Sequence, residues 1–168
     1  GIWGNDNSTY HHNLFAHNAS RTPRWSNGSG RNDHRNNVIY NWERNNCYGA
    51  AGEDFINMVA NYYKPGPATK SGVADQIADP NSGKWYVAEN YVVDSPEVTN
   101  DNWLGVTGGT KLDEPWPAMA INQQTAQEAY LTVLDHAGCS FPNRDELDAR
   151  IIEEVRTGTA TYGENGIV

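Results

Sequence analysis

The chain has 168 residues, 38% of them hydrophobic, a formal charge of −9 and an isoelectric point near 4.9. That length allows one domain with a real core, and the acidic balance excludes general nucleic-acid binding, which needs a broad basic field to track phosphates. No apolar run approaches the roughly 18 residues of a membrane span. Cys47 and Cys139 are too few for a disulfide framework or a cysteine-based metal site, and the sequence leaves open whether they pair.

At the start, Gly1-Ile2-Trp3-Gly4 sets a large aromatic between glycines with no polar lead-in, which reads as the interior of a structure with something before it. Residues 11–18, 36–42, 55–63 and 85–93 then each join a short apolar run to asparagine, a weak internal repeat. Asn41-Trp42, Asn61-Tyr62 and Asn90-Tyr91 read as equivalent positions, at offsets of 20 and 29 residues. Turn formers separate the runs: Ser26-Asn27-Gly28-Ser29-Gly30, Gly49 to Gly52, Pro65-Gly66-Pro67 and Asp79-Pro80-Asn81-Ser82-Gly83. The spacing predicts an all-β solenoid of stacked coils with unequal loops, in which a corner asparagine on each coil bonds to the coils above and below. An antiparallel sandwich is the alternative, disfavoured because Asn-Gly hairpin turns are almost absent between the runs.

Beyond about residue 100 the pattern changes. Residues 101–117 form a loop whose aromatic content, Trp103 and Trp116, predicts that it lies along the solenoid wall. Residues 123–137 predict an amphipathic helix with Ala126, Ala129, Tyr130, Val133, Leu134 and Ala137 on one face and Gly138 as its cap. A second helix is capped by Asn143, striped by Leu147, Ile151, Ile152 and Val155, and stopped at Gly158. This divides the chain into coils over 1–118 and a helical packing tail over 119–168. Arg144, Asp145, Asp148 and Arg150 read as surface ion pairs of that tail.

Chemistry concentrates near the beginning. Arg21, Arg24, Arg31 and Arg35 fall within fifteen residues of an acidic protein, the first two bracketing Pro23, which fixes φ and biases Thr22 toward an extended backbone. A bound anion is the natural partner of such a cluster. His11, His12 and His17 invite a metal reading, but strand alternation points His11 and His12 to opposite faces, so a structural role is expected for most of them.

Tyr10-His11-His12-Asn13-Leu14, Ser20-Arg21-Thr22-Pro23-Arg24, Asn37-Val38-Ile39-Tyr40-Asn41-Trp42 and Asn61-Tyr62-Tyr63-Lys64-Pro65-Gly66-Pro67 resemble the C-terminal half of pectate lyases of the first polysaccharide lyase family. The tail, with Arg144-Asp145, Asp148-Ala149-Arg150 and Arg156-Thr157-Gly158, resembles that family's bacterial members. The resemblance implies a right-handed, single-stranded parallel β-helix, secreted, that cleaves polygalacturonate by calcium-assisted β-elimination. It places the catalytic arginine at Arg21, acting on the C5 proton of the galacturonate at the +1 side. A guanidinium is a poor base, so either Arg21 is poised to take the proton or it stabilises the enolate-like intermediate while another group does. Arg24 takes the substrate carboxylate. Arg31 and Arg35 are further substrate-binding candidates, weighed against a solvated or ion-paired role, and a second family arginine is replaced by Ser26. The family's calcium ligands lie upstream of the arginine element, in coils absent from this sequence, so no metal ligand is assigned here and the N-terminal half of the same enzyme is the expected partner. The alternatives are a pectin lyase acting on methyl-esterified substrate and a non-catalytic carbohydrate-binding β-solenoid.

Overall fold

Short runs, many of them followed by a residue with a left-handed backbone such as His12, His17, Asn36, Asn41 or Ala60, give strands of two to five residues separated by corners. The computed structural model describes residues 1–167 and winds them through three parallel sheets. Sheet I contains β1 (Ile2–Trp3), β4 (Arg24–Trp25), β7 (Cys47–Gly49) and β10 (Ala78–Pro80). Sheet II contains β2 (Ser8–His11), β5 (Arg31–Arg35), β8 (Phe55–Val59), β11 (Lys84–Ala88) and β13 (Thr110–Lys111). Sheet III contains β3 (Leu14–Ala16), β6 (Val38–Tyr40), β9 (Tyr62–Lys64) and β12 (Tyr91–Val92). Each circuit visits the sheets in the same order, and each strand pairs in parallel with its counterpart one circuit on, the arrangement of a parallel β-helix. Parallel pairing throughout the named strands rules out the sandwich.

One corner is built from asparagine, as expected, but not from the asparagines expected. Asn13 donates its backbone and side-chain N–H to Asn37 Oδ1, Asn37 does the same to Asn61, and Asn61 to Asn90, across steps of 24, 24 and 29 residues. Asn90 closes the column on Asn102. Asn61 and Asn90 therefore hold their predicted equivalence, whereas Asn41 stands at the far end of its strand, bonded to Ala68 N, Asn165 O and His17. The dipeptide of asparagine and aromatic marks both ends of a three-residue strand, which is how the phase slips. Each column asparagine follows a residue at positive φ: His12 at 54°, Asn36 at 54°, Ala60 at 50° and Glu89 at 62°.

Inside the coils, Trp25, Trp42, Trp85, Tyr63, Ile39, Ile56 and Met58 are buried and pack together. His34 is also fully buried, with ring centroids 5.9 Å from Trp3, 5.7 Å from Phe15 and 6.2 Å from Trp25. Burial pushes its imidazole down to a pKa of about 3, so it is a neutral core residue. Cys47 lies in the same core, its sulfur accepting from Trp25 Nε1 at 3.1 Å, while Cys139 is exposed; both are free thiols.

The outer faces of the three sheets differ. On sheet III, Val38 and Tyr40 are covered by α2 (Ala126–His136) and α3 (Glu146–Thr157), through Val133, Leu134, Ile152 and Val155. α2 begins three residues later than predicted because Thr125 and Glu128 form a reciprocal capping box, and the preceding Gln124 is clipped to Asn36 by two hydrogen bonds. α3 is capped by Asp145 instead of Asn143, since the Asp145 carboxylate accepts from Asp148 N at 2.8 Å. Gly138 follows the C-cap residue Ala137 at φ +82°, as expected, and Arg144 adds to the closure by donating to the carbonyls of Leu134, Asp135 and Ala137. Gly158 does end α3, in the left-handed conformation. Sheet II is covered by the loop after the coils: Trp116 Nε1 donates to Asn32 O at 3.1 Å, and Trp116 and Asn57 exchange backbone and amide bonds. The loop lies along the wall, as its aromatic content predicts.

Candidate active site

Sheet I is left as the less covered face. Trp25 points inward and is fully buried, so by strand alternation Arg24 points outward, and the register carries the same outward row through Tyr48 and Asp79. All three are half-buried, and the two tail helices pack over sheet III.

Arg21 stands at the corner that enters β4. Its φ is +67°, a conformation that costs a residue with a Cβ about 1 kcal/mol, and its neighbours hold it there. Thr22 is buried, its backbone N–H donating to Asn46 O at 3.0 Å and its hydroxyl to Asn46 Oδ1 at 2.7 Å. Asn46 is held in turn by Gln76 on the next circuit. The guanidinium emerges on the exposed side, and its Nε donates to Tyr48 Oη at 3.1 Å. Tyr48, which the sequence reading did not single out, thus bonds the Arg21 side chain and stands in register beside Arg24 on the outward row. No sequence signal marks it, because only the register between circuits places Tyr48 beside Arg24. Asp79 ends the row, accepting from Asn45 Nδ2 at 3.2 Å and from Thr107 Oγ1.

Arg31 and Arg35 are not brought to this group. Both lie on β5 in sheet II. Arg35 grips the buried Asp33 carboxylate with Nε at 2.7 Å and Nη2 at 2.6 Å, while Nη1 donates to Gln123 Oε1 at 2.8 Å, so its fork is filled beneath the wall loop. Arg31 is exposed, 3.6 Å from Asp6, which also accepts from Arg31 N at 2.8 Å. A cavity of about 490 Å³ lies elsewhere again, between the outer face of β3 and Ala137, Gly138 and Ile151 of the tail, and has no arginine or lysine in its lining.

The histidines depart from the alternation argument. His12 has φ +54°, which breaks the strand, so His11 and His12 do not diverge: their Nδ1 atoms lie 2.8 Å apart and His12 Nε2 reaches Gln124 Oε1 at 2.9 Å. His17 is tied into the tail, its Nδ1 2.9 Å from the Asn41 amide and its Nε2 2.9 Å from Glu154 Oε2. Burial holds the His17 imidazole below its ordinary value despite the nearby Glu154 charge. Burial works against ionisation of Glu154, yet hydrogen bonds from Thr161 and Arg150 and the Arg150 charge keep its carboxyl below the usual range. Among the described residues, no group of three or more His, Cys, Asp or Glu converges to hold a metal ion.

This geometry belongs to a chain with named relatives. It is similar to fungal proteins named probable pectate lyase C. The Aspergillus terreus protein is 34% identical over 165 residues, covering 90% of this chain and 37% of its own length. The Aspergillus flavus protein is 31% identical over 164 residues, 92% of this chain and 37% of its own length, and the Emericella nidulans protein is 32% identical over 164 residues, 92% and 36%. The chain therefore spans a little over a third of the relatives it matches. No family model matches it.

Proposed function

We propose that this chain supplies the arginine side of a pectate lyase active site, as the C-terminal portion of an enzyme that cleaves polygalacturonate by β-elimination. The observation that carries the reading is the placement of Arg21 at the exposed corner entering β4 and of Arg24 on the outward row of sheet I, in a chain similar over nine-tenths of its length to probable pectate lyase C proteins. In this reaction the C5 proton passes to a solvent base while Arg21 stabilises the carbanion, the C5–H bonding pair forms the C4–C5 double bond, and the bond from C4 to the glycosidic oxygen breaks, the leaving oxygen taking a proton from solvent. Arg24, half-buried and unpaired with any carboxylate among the described residues, binds the uronate carboxylate by charge-assisted hydrogen bonds. Arg21 acts at C5, with its Nη groups directed at the position where charge develops. Arg31 and Arg35 hold the wall through Asp6 and Asp33.

Calcium assistance belongs to this proposal without a ligand set in this chain. Calcium takes about six to eight oxygen ligands, and the described residues present no such cage, so the reading assigns its ligands to other coils of the same protein and routes no step through the ion here. Those coils would stack on the edge formed by β1, β2 and β3, where Trp3 and Tyr10 stack at 3.8 Å, continuing a right-handed helix with coils over 1–118 and the tail over 119–168. Family one membership and secretion belong to the same reading. Its bacterial subtype rests on the tail motif alone, whereas the matched relatives are fungal. No helix is long and apolar enough to cross a membrane among the described residues.

Asp79 supports a second reading. A carboxylate two circuits along the row from Arg24 repels a uronate placed over it, which favours a neutral, methyl-esterified unit at that end and hence a pectin lyase. Product analysis separates the readings. Polygalacturonate cleaved to ultraviolet-absorbing unsaturated ends supports the first, methyl-esterified pectin cleaved without calcium supports the second, and new reducing ends without absorbance exclude both. Binding without any product would mark a carbohydrate-binding module.

A further inference from the structure

We propose that Tyr48 is a positioning residue for Arg21, a phenol that aims the guanidinium without neutralising it; this rests on the reading of Arg21 as the group acting at C5. Tyr48 Oη is the one hydrogen-bond partner of the Arg21 side chain among the described residues, at 3.1 Å from Nε. Three features fix the backbone from which the phenol projects. Tyr48 N–H donates to Pro23 O at 3.2 Å, its flanks Cys47 and Gly49 are buried, and its strand is in register with Arg24 and Asp79. Gly49 is needed for that approach, because its φ is +103° and a Cβ there would run into the Trp25 carbonyl.

The choice of partner carries the argument. A guanidinium has five N–H donors in a rigid fork, so a bond at Nε restrains the direction of the whole group while leaving both Nη groups free to donate elsewhere. A carboxylate in the same place would fix the plane equally well but would cancel the charge, which is what Asp33 does to Arg35 on sheet II, with bonds of 2.7 and 2.6 Å. A neutral phenol oxygen orients Arg21 and leaves its positive charge for the anion that develops on the substrate. The strained Arg21 backbone and the phenol act on the same side chain from opposite ends, the first fixing where it leaves the corner and the second where it points.

The test is Tyr48→Phe in the full-length protein, which keeps the ring and removes one oxygen. Misaiming a catalytic group costs about tenfold to a hundredfold, so kcat on polygalacturonate should fall by that factor while KM and the thermal midpoint stay unchanged. In nitrogen-15 NMR, the Arg21 Nε–H signal should exchange slowly with solvent in the wild type and rapidly in the variant. Loss of packing alone would lower the midpoint and would not separate kcat from KM. A wild type that cleaves polygalacturonate together with a Tyr48→Phe variant of equal kcat overturns the positioning role and leaves the lyase reading standing. A wild type that produces no unsaturated ends overturns the lyase reading and the catalytic role of Tyr48 with it, and the NMR signal then reports a structural contact only.

Discussion

Arg21 on sheet I and Arg35 on sheet II are the same side chain, fourteen positions apart, in two different electrical states. Arg35 is nearly enclosed and locked bidentately to a carboxylate with no exposed surface, while Arg21 is exposed and, among the described residues, its side chain hydrogen-bonds only to a phenol. An arginine already paired inside a protein holds structure together, because separating the pair strands a buried charge. An arginine aimed by a neutral group still has its charge to use. The distinction lies in what stands beside the side chain, which is why the four clustered arginines divide into two at β4 and its entering corner and two on β5 that face carboxylates.

Substitutions break this comparison in order of expected size. Arg21→Lys should lower kcat by about a hundredfold or more, since a lysine offers no planar fork at the reacting position, and the thermal midpoint should not move. Arg35→Ala should do the opposite, destabilising the fold by about 3 kcal/mol because Asp33 is left buried and unpaired, as read in urea denaturation, with kcat preserved in the folded fraction. Arg24→Ala should raise KM for de-esterified substrate by about tenfold through loss of a charge-assisted contact, and an unchanged KM would remove it from the site. Arg31→Ala should shift stability by less than about 0.5 kcal/mol, as an exposed pair with Asp6 warrants.

A pH titration sharpens the contrast from the inside. His34 has a folded-state pKa of about 3 against an ordinary value of 6.5, so the unfolded chain binds the extra proton first. Its contribution to stability is fully present above pH 6.5 and is lost as pH falls toward 3, at a limiting slope of about 1.4 kcal/mol per pH unit. Urea midpoints measured across that window should fall with acid in the wild type and fall less steeply in His34→Phe. Identical slopes in the two proteins would mean that His34 is hydrated or paired in solution.

Much of the fold was legible because it is repetitive. Short strands, turn formers and corner asparagines follow from local backbone preference, and the helical stripe of Ala129, Val133 and Leu134 follows from burial on one face. The failures occur where one residue's backbone departs from its neighbours. His12 at positive φ undoes an alternation argument that was sound for a continuous strand, and Asn41 was taken for a column member because both ends of a short strand carry asparagine. Tyr48 was invisible for another reason: its partner lies 27 residues away, and only the register between circuits brings the two together. Likewise, nothing in Arg31 to Arg35 announces that Asp33 faces the same way as Arg35, two residues on along the same strand, although period-two alternation contains that information.

The most direct test sets Arg21→Lys beside Arg35→Lys in the full-length protein, measuring the rate of unsaturated-end formation from polygalacturonate and the thermal midpoint on the same samples. The account predicts a collapsed rate with an unchanged midpoint for Arg21→Lys, and a lowered midpoint with a near wild-type rate below it for Arg35→Lys. The reverse pattern, or loss of rate in both at unchanged midpoints, would contradict the assignment of chemistry to sheet I and of wall-holding to sheet II.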